Sequence, residues 1–269
     1  MITTRIRLIA LDLDGTLVGP DLTISPRVRD TIARARERGT QITIVTGRMF
    51  AATKPFAQVL GITGPLVCYQ GAAIFEAATG AMLRETDVHQ DVTRTVLDWA
   101  DAHHVHAQCY AGDQLYVQQI NRFSKRYTDL AKVEPKVVPS LRAAFADQPS
   151  IKIVLVDDPG PSEEHLAALK TLLGERAYLT RSNVDFVEVL SPDVNKGEAL
   201  AFVAQRYGVT LAETMAVGDA WNDVPLITAA GVGVAMGSGP PELFAQADAV
   251  VADVAHDGVA EAIERYVLT

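Results

Sequence analysis

Two cysteines, Cys68 and Cys109, are all that 269 residues contain. A chain this long can stabilise itself by burial, so a disulfide framework is not expected; the pair reads as small buried hydrophobes in a reducing, cytoplasmic protein. Positive charge is also short: 24 Lys+Arg against 33 Asp+Glu leave a formal net charge of -9. A basic face able to neutralise phosphates is therefore not expected, which argues against nucleic acid or an anionic membrane as partner. No apolar run approaches the roughly 18 residues of a membrane span. The opening residues, Met1-Ile2-Thr3-Thr4-Arg5, lack the long apolar stretch and small-residue cleavage site of a leader. Low-complexity tracts, internal repeats and a Walker loop are missing as well. With 48% hydrophobic and 21% charged residues, the composition is that of a folded chain rather than a disordered one.

The first third carries a simple alternation. Residues 6–13 (IRLIALDL) form a nearly unbroken apolar run, the pattern of a strand buried on both faces of a parallel sheet. Ser25 before Pro26 predicts a helix start, and Gly39 its end. A strand at 41–46, a helix at 50–60 and a strand at 65–69 complete a β-α-β-α-β series. The middle mixes helices with hairpins, one of them around Gly112-Asp113. From Asn195 the plain alternation resumes. The expected fold is α/β, a doubly wound and mostly parallel sheet split by an inserted α+β unit. The core is expected over residues 1–82 and 189–269, and the insert over 83–188.

Four short elements carry the chemistry. In Asp12-Leu13-Asp14-Gly15-Thr16-Leu17, two acids close a hydrophobic strand at its C-terminal edge, where open α/β sheets bind ligands. Gly218-Asp219-Ala220-Trp221-Asn222-Asp223 puts two more acids and an amide after another apolar strand. Acids gathered that closely repel, and a hard divalent cation with oxygen ligands relieves the repulsion; magnesium, which pairs one or two carboxylates with substrate phosphate, suits the set. Taken singly, Asp12-Leu13-Asp14-Gly15 also reads as a hairpin turn and Asp219 as a helix cap. Asn195-Lys196-Gly197-Glu198 has capping-box spacing and places Lys196 in a first helical turn, where only a nearby anion makes a cation favourable. Thr46-Gly47-Arg48 ends a strand with a hydroxyl, a backbone amide and a guanidinium suited to phosphate. The histidines at 103, 104 and 106 fit no metal pattern and read as a solvated helix end. The glycines from Gly231 to Gly237 have the wrong spacing for a dinucleotide loop, and His256-Asp257-Gly258 reads as a helix start.

Taken in chain order, residues 12–17 first, residues 46–48 second, Lys196-Gly197 third and residues 218–223 fourth, the four elements resemble the motifs of the haloacid dehalogenase superfamily, and within it the Cof-like branch of sugar-phosphate and small-metabolite phosphatases. The resemblance spans nearly the whole chain, and the insert lies where that branch carries an α/β cap. It implies that Asp12 is the nucleophile and Asp14 the acid and base. Mg²⁺ would be held by the Asp12 carboxylate, the Asp14 carbonyl and the Asp219 carboxylate, with Asp223 ordering its waters. Leu13, Thr46, Gly47, Arg48, Lys196 and Asn222 would serve the phosphoryl group and substrate. The implied partner is a small phosphate ester; no oligomeric state follows. Two positions depart from the branch: Gln70 replaces its usual Asn, and Ser238-Gly239 its usual Asn-Ala. A phosphomutase on the same fold, or a non-catalytic protein binding a phosphorylated metabolite, are the competing readings.

Overall fold

The computed structural model describes residues 5–269 apart from the side chain of Leu130; residues 1–4, part of the opening considered above for a leader, lie outside the described residues. The described residues form two compact units, one of residues 5–46, 53–83 and 195–269, the other of residues 47–52 and 84–194.

The chain begins with β1 (Leu8–Leu11), α1 (Pro26–Glu37), β2 (Gln41–Ile44), α2 (Phe50–Val59), β3 (Pro65–Cys68), β4 (Ala73–Glu76) and β5 (Met82–Glu85). The middle of the chain supplies α3 (Gln90–His103), β6 (His106–Ala111), β7 (Gln114–Val117), α4 (Arg122–Ala131), β8 (Lys136–Val137), α5 (Leu141–Ala144), β9 (Lys152–Val156), α6 (Pro159–Leu173), β10 (Tyr178–Asn183) and β11 (Phe186–Leu190). It closes with α7 (Lys196–Tyr207), β12 (Thr214–Gly218), α8 (Val224–Ala229), β13 (Val232–Met236), α9 (Pro241–Phe244), β14 (Ala249–Val251) and α10 (Gly258–Tyr266).

In the first unit the sheet order is β14-β13-β12-β1-β2, every pairing parallel. All four residues of β1 are buried, as a central strand covered on both faces requires. The order reverses around β1, whose neighbours β2 and β12 come from opposite ends of the chain, so the crevice opens beyond the C-terminal ends of these three strands. Ser25 caps α1 by accepting from the Val28 amide, with Pro26 at the first helical position. β3 departs from the expected alternation: it touches the main sheet through one bridge, Val45 to Val67, and pairs antiparallel with β4. Pro65 at its first position has no amide hydrogen to give a neighbouring strand. Beyond it Tyr69, Gln70 and Gly71 all take positive φ, turning the chain back into the hairpin.

The second unit is a six-stranded sheet in the order β10-β11-β9-β6-β7-β8. Cys109, Ile153, Leu155, Val187 and Val189 pack in one cluster with Val92, Val96 and Leu97 of α3 and Leu169 and Leu173 of α6. Because strand side chains alternate, Tyr110, Lys152 and Glu188 emerge on the opposite face. The β6–β7 hairpin turns through Gly112 (φ 57) and Asp113 (φ 58), the two left-handed residues of a two-residue turn. Both cysteines are buried and neither forms a disulfide; burial pushes the Cys109 thiol up to about 12, so it stays an inert hydrophobe.

The expected solvated histidine cluster is split. α3 ends at His103, His104 adopts the left-handed cap, and His106 enters β6 and is buried. Burial lowers His106 to about 4. An unfolded histidine protonates near 6.5, so between about 6.5 and about 4 the unfolded chain binds a proton that the folded chain refuses. Stability is therefore expected to fall with pH across that window, by up to about 3 kcal/mol from this group. Urea titrations of the wild type and His106→Gln check it: the wild type should lose more stability than the variant on acidification. Equal losses would contradict the assignment.

Candidate active site

Three carboxylates meet at the crevice. Asp12 follows β1, while Asp219 and Asp223 lie in the turn after β12; one oxygen from each falls within 4.8 Å of the others. The parallel pairing of β1 with β12 brings these distant stretches together, with Leu11 beside Val217. Burial raises Asp12 well above the usual carboxylate range, Asp223 adds to it, and Lys196 opposes. Asp219 is pushed up to about 7, again by burial first and then by Asp223.

Lys196 is the cation among them. Its ammonium is fully buried and lies 2.5 Å from Asp12 Oδ1 and 2.6 Å from Asp223 Oδ1. Burial alone would lower its pKa, but the two carboxylates more than reverse that and hold it charged. The first-turn position predicted for this residue is thus occupied next to two anions, with Asn195 Oδ1 accepting from the Glu198 amide as cap. The second Asp223 oxygen accepts from the amides of Asp219 and Ala220, which fixes the turn that carries Asp219.

Thr16 donates to Asp219 Oδ1 at 3.1 Å, a contact from the first element to the fourth that sequence reading did not anticipate. Gly15 runs between them at φ +84, and a β-carbon there would stand 2.1 Å from Asp219 Oδ2. Glycine is the one residue that suits both the conformation and the space.

Asp14 is half-buried beside this cluster in sequence, and Leu13 is buried, its carbonyl accepting from the Leu17 and Val18 amides. Thr46 is buried; its amide donates to Val67 and its carbonyl accepts from Gln70. Asn222 is buried and donates through Nδ2 to Gln70 Oε1. Gly47 and Arg48 follow Thr46 but pack in the second unit. There Lys152, ion-paired with Glu188 at 2.9 Å, donates to the Gly47 carbonyl at 2.7 Å. The Asp113 carboxylate accepts from the Phe50 and Ala51 amides, capping the first turn of α2. Neither anchor is visible in local sequence; the turn-forming Gly112-Asp113 pair was the available hint.

Three carboxyl groups face one ammonium in this cluster. The donors are all oxygens, two of them on carboxylates whose proton affinity burial has raised. A hard divalent cation fits that set.

The family model for haloacid dehalogenase-like hydrolases matches residues 9–263. The chain belongs to that family. It is 29% identical to the Escherichia coli pyridoxal phosphate phosphatase YbhA, with 99% of this chain and all of that protein covered. It is 30% identical to the HMP-PP phosphatase of Enterobacter sp. (strain 638), over 89% of this chain and 87% of the other. A crystal structure of a haloacid dehalogenase-like hydrolase from Bacteroides thetaiotaomicron superposes with a TM-score of 0.85 at 28% identity, covering 97% and 99% of the two chains. The protein is accordingly an enzyme, a phosphatase of this family. Among the described residues no helix is long and apolar enough to cross a membrane.

Proposed function

We propose that the protein hydrolyses small phosphorylated metabolites through an aspartyl-phosphate on Asp12, with Mg²⁺ as cofactor. The observation that carries this reading is the meeting of Asp12, Asp219 and Asp223 around the Lys196 ammonium at the crevice. Two relatives are named as phosphatases of pyridoxal phosphate and of HMP-PP, which supports small phosphorylated metabolites as the substrate class. The cation would be held by the carboxylates of Asp12 and Asp219 and the Asp14 carbonyl, with Asp223 behind them. When bound it supplies positive charge that offsets both the carboxylates and the incoming phosphate.

In the first step an Asp12 oxygen attacks phosphorus, the bond to the ester oxygen breaks, and the departing alcohol takes its proton from Asp14. In the second, Asp14 removes a proton from water as the water oxygen attacks phosphorus. That releases orthophosphate and restores the Asp12 carboxylate. Two modest displacements replace one difficult one, and a single acid serves as donor and then as base. Lys196, Thr46 and Asn222 are assigned to the phosphoryl oxygens, where charge stabilisation outweighs other contributions. The Gly47 amide and the Arg48 guanidinium receive the remaining phosphate contacts on the strength of the sequence motif, and Leu13 a backbone role between the two acids.

The test is turnover of p-nitrophenyl phosphate by purified protein with and without chelator. Activity is expected with Mg²⁺, to vanish in excess chelator and to return on adding the metal; full turnover in chelator would refute the metal role. A screen of phosphorylated metabolites, scored for free phosphate against isomerised product, separates hydrolysis from phosphoryl return to a sugar.

A further inference from the structure

We propose that Gln70 is a positioning residue that orients the Asn222 amide toward the phosphoryl group while holding Thr46 beside it. This rests on the assignment of Thr46 and Asn222 to phosphate binding. Gln70 stands in the turn after β3 at φ 61, ψ 19, between Tyr69 at φ 52 and Gly71 at φ 105. Left-handed backbone is uncommon for a residue with a long side chain, and Asn takes it more readily than Gln. Strain of this kind persists where the surroundings fix it, and it gathers at functional sites. The turn has no room to relax by moving inward, because a β-carbon on Gly71 would lie 2.6 Å from the Asn195 carbonyl oxygen.

Two hydrogen bonds hold this position, a backbone bond that any residue would make and a side-chain bond that depends on Gln. The Gln70 amide donates to the Thr46 carbonyl at 2.9 Å, so the turn is tied to the end of the second motif. Its side-chain Oε1 accepts from Asn222 Nδ2, also at 2.9 Å, which ties it to the fourth. Gln70 is 1% exposed and Asn222 5%, so neither contact is diluted by solvent. One Nδ2 hydrogen held by Gln70 fixes the plane of the Asn222 amide. The Asn222 Oδ1, buried, has no partner among the described residues. With one Nδ2 hydrogen given to Gln70, the other is the donor that a phosphoryl oxygen can accept, while the unpaired Oδ1 takes a donor such as a water or a protonated phosphate oxygen. Asn at position 70 would withdraw the acceptor by about one carbon–carbon bond, roughly 1.5 Å, which lengthens the contact beyond a hydrogen bond.

The substitution Gln70→Asn therefore moves stability and activity in different directions. The thermal midpoint is expected to stay level or rise, because the left-handed turn suits Asn better. kcat/KM for p-nitrophenyl phosphate is expected to fall about 10- to 100-fold, carried mainly by kcat, as small misplacement of a phosphoryl-binding group does. The affinity for orthophosphate, measured by calorimetric titration with Mg²⁺, is expected to weaken with it. Gln70→Met, which keeps the length and removes the acceptor, is expected to match the loss in activity. A variant Q70N with kcat/KM within twofold of wild type and unchanged phosphate affinity overturns the proposal. So does an activity loss in both variants that merely follows a lowered midpoint. If the wild type fails to turn over any phosphate ester, the phosphatase reading falls by itself; orthophosphate titration then decides the role of Gln70, weaker binding in the variants supporting it and equal or absent binding overturning it.

Discussion

Asp12→Asn is expected to remove turnover of p-nitrophenyl phosphate by at least about 10³-fold while the protein stays folded. The amide has no nucleophilic oxygen of comparable strength, so the covalent route closes rather than slows. Folding should survive because the exchange takes a charge out of a crowded anionic cluster. Asp12 already carries a carboxyl whose proton affinity is raised by burial and by Asp223. Steady-state kinetics with circular dichroism on the same preparation check it. A variant within tenfold of wild type would remove Asp12 from the chemistry.

Lys196→Met should be costly on both counts. The ammonium lies 2.5 Å from Asp12 and 2.6 Å from Asp223 with no solvent to replace it. Removing one partner of a buried pair leaves an uncompensated charge and costs about 3–5 kcal/mol. Turnover is expected to fall about 10²- to 10³-fold because a donor to the phosphoryl oxygens is also gone. The two effects separate in the double variant K196M/D223N. Neutralising Asp223 takes away one of the stranded carboxylates, so part of the stability should return while turnover does not. Urea titration and kinetics on the three proteins provide the readout. Full stability in K196M would mean that the contacts of Lys196 with Asp12 and Asp223 contribute nothing to the fold.

The crevice was legible in sequence because its chemistry sits at strand ends. An apolar run such as residues 6–13 can be read as a buried parallel strand, and an acid at its end must emerge at the sheet edge. The same reasoning located Asp219 after β12 and placed Lys196 in a first helical turn that makes sense with anions nearby. Pairings across long stretches of chain were not legible. Thr16 reaches Asp219 across 203 residues, and Asn222 reaches Gln70 across 152. Neither side chain carries a local pattern that announces its partner. Gln70 could be flagged as unusual, but its function depends on a left-handed turn that only the fold reveals. β3 was read as one more strand of the main sheet because it is apolar throughout; its antiparallel partner follows from the turn behind it rather than from its own residues. His106 shows the opposite limit, since proximity to His103 and His104 in sequence hid a strand boundary that buries it.

Covalent chemistry at Asp12 is tested most directly by acid quench during turnover, followed by mass spectrometry of the peptides. One phosphoryl group on Asp12, lost when the quenched enzyme is allowed to react on with water, is the expected result. Rapid turnover with Asp12 unmodified at every quench time, or with the label on a different residue, would contradict it.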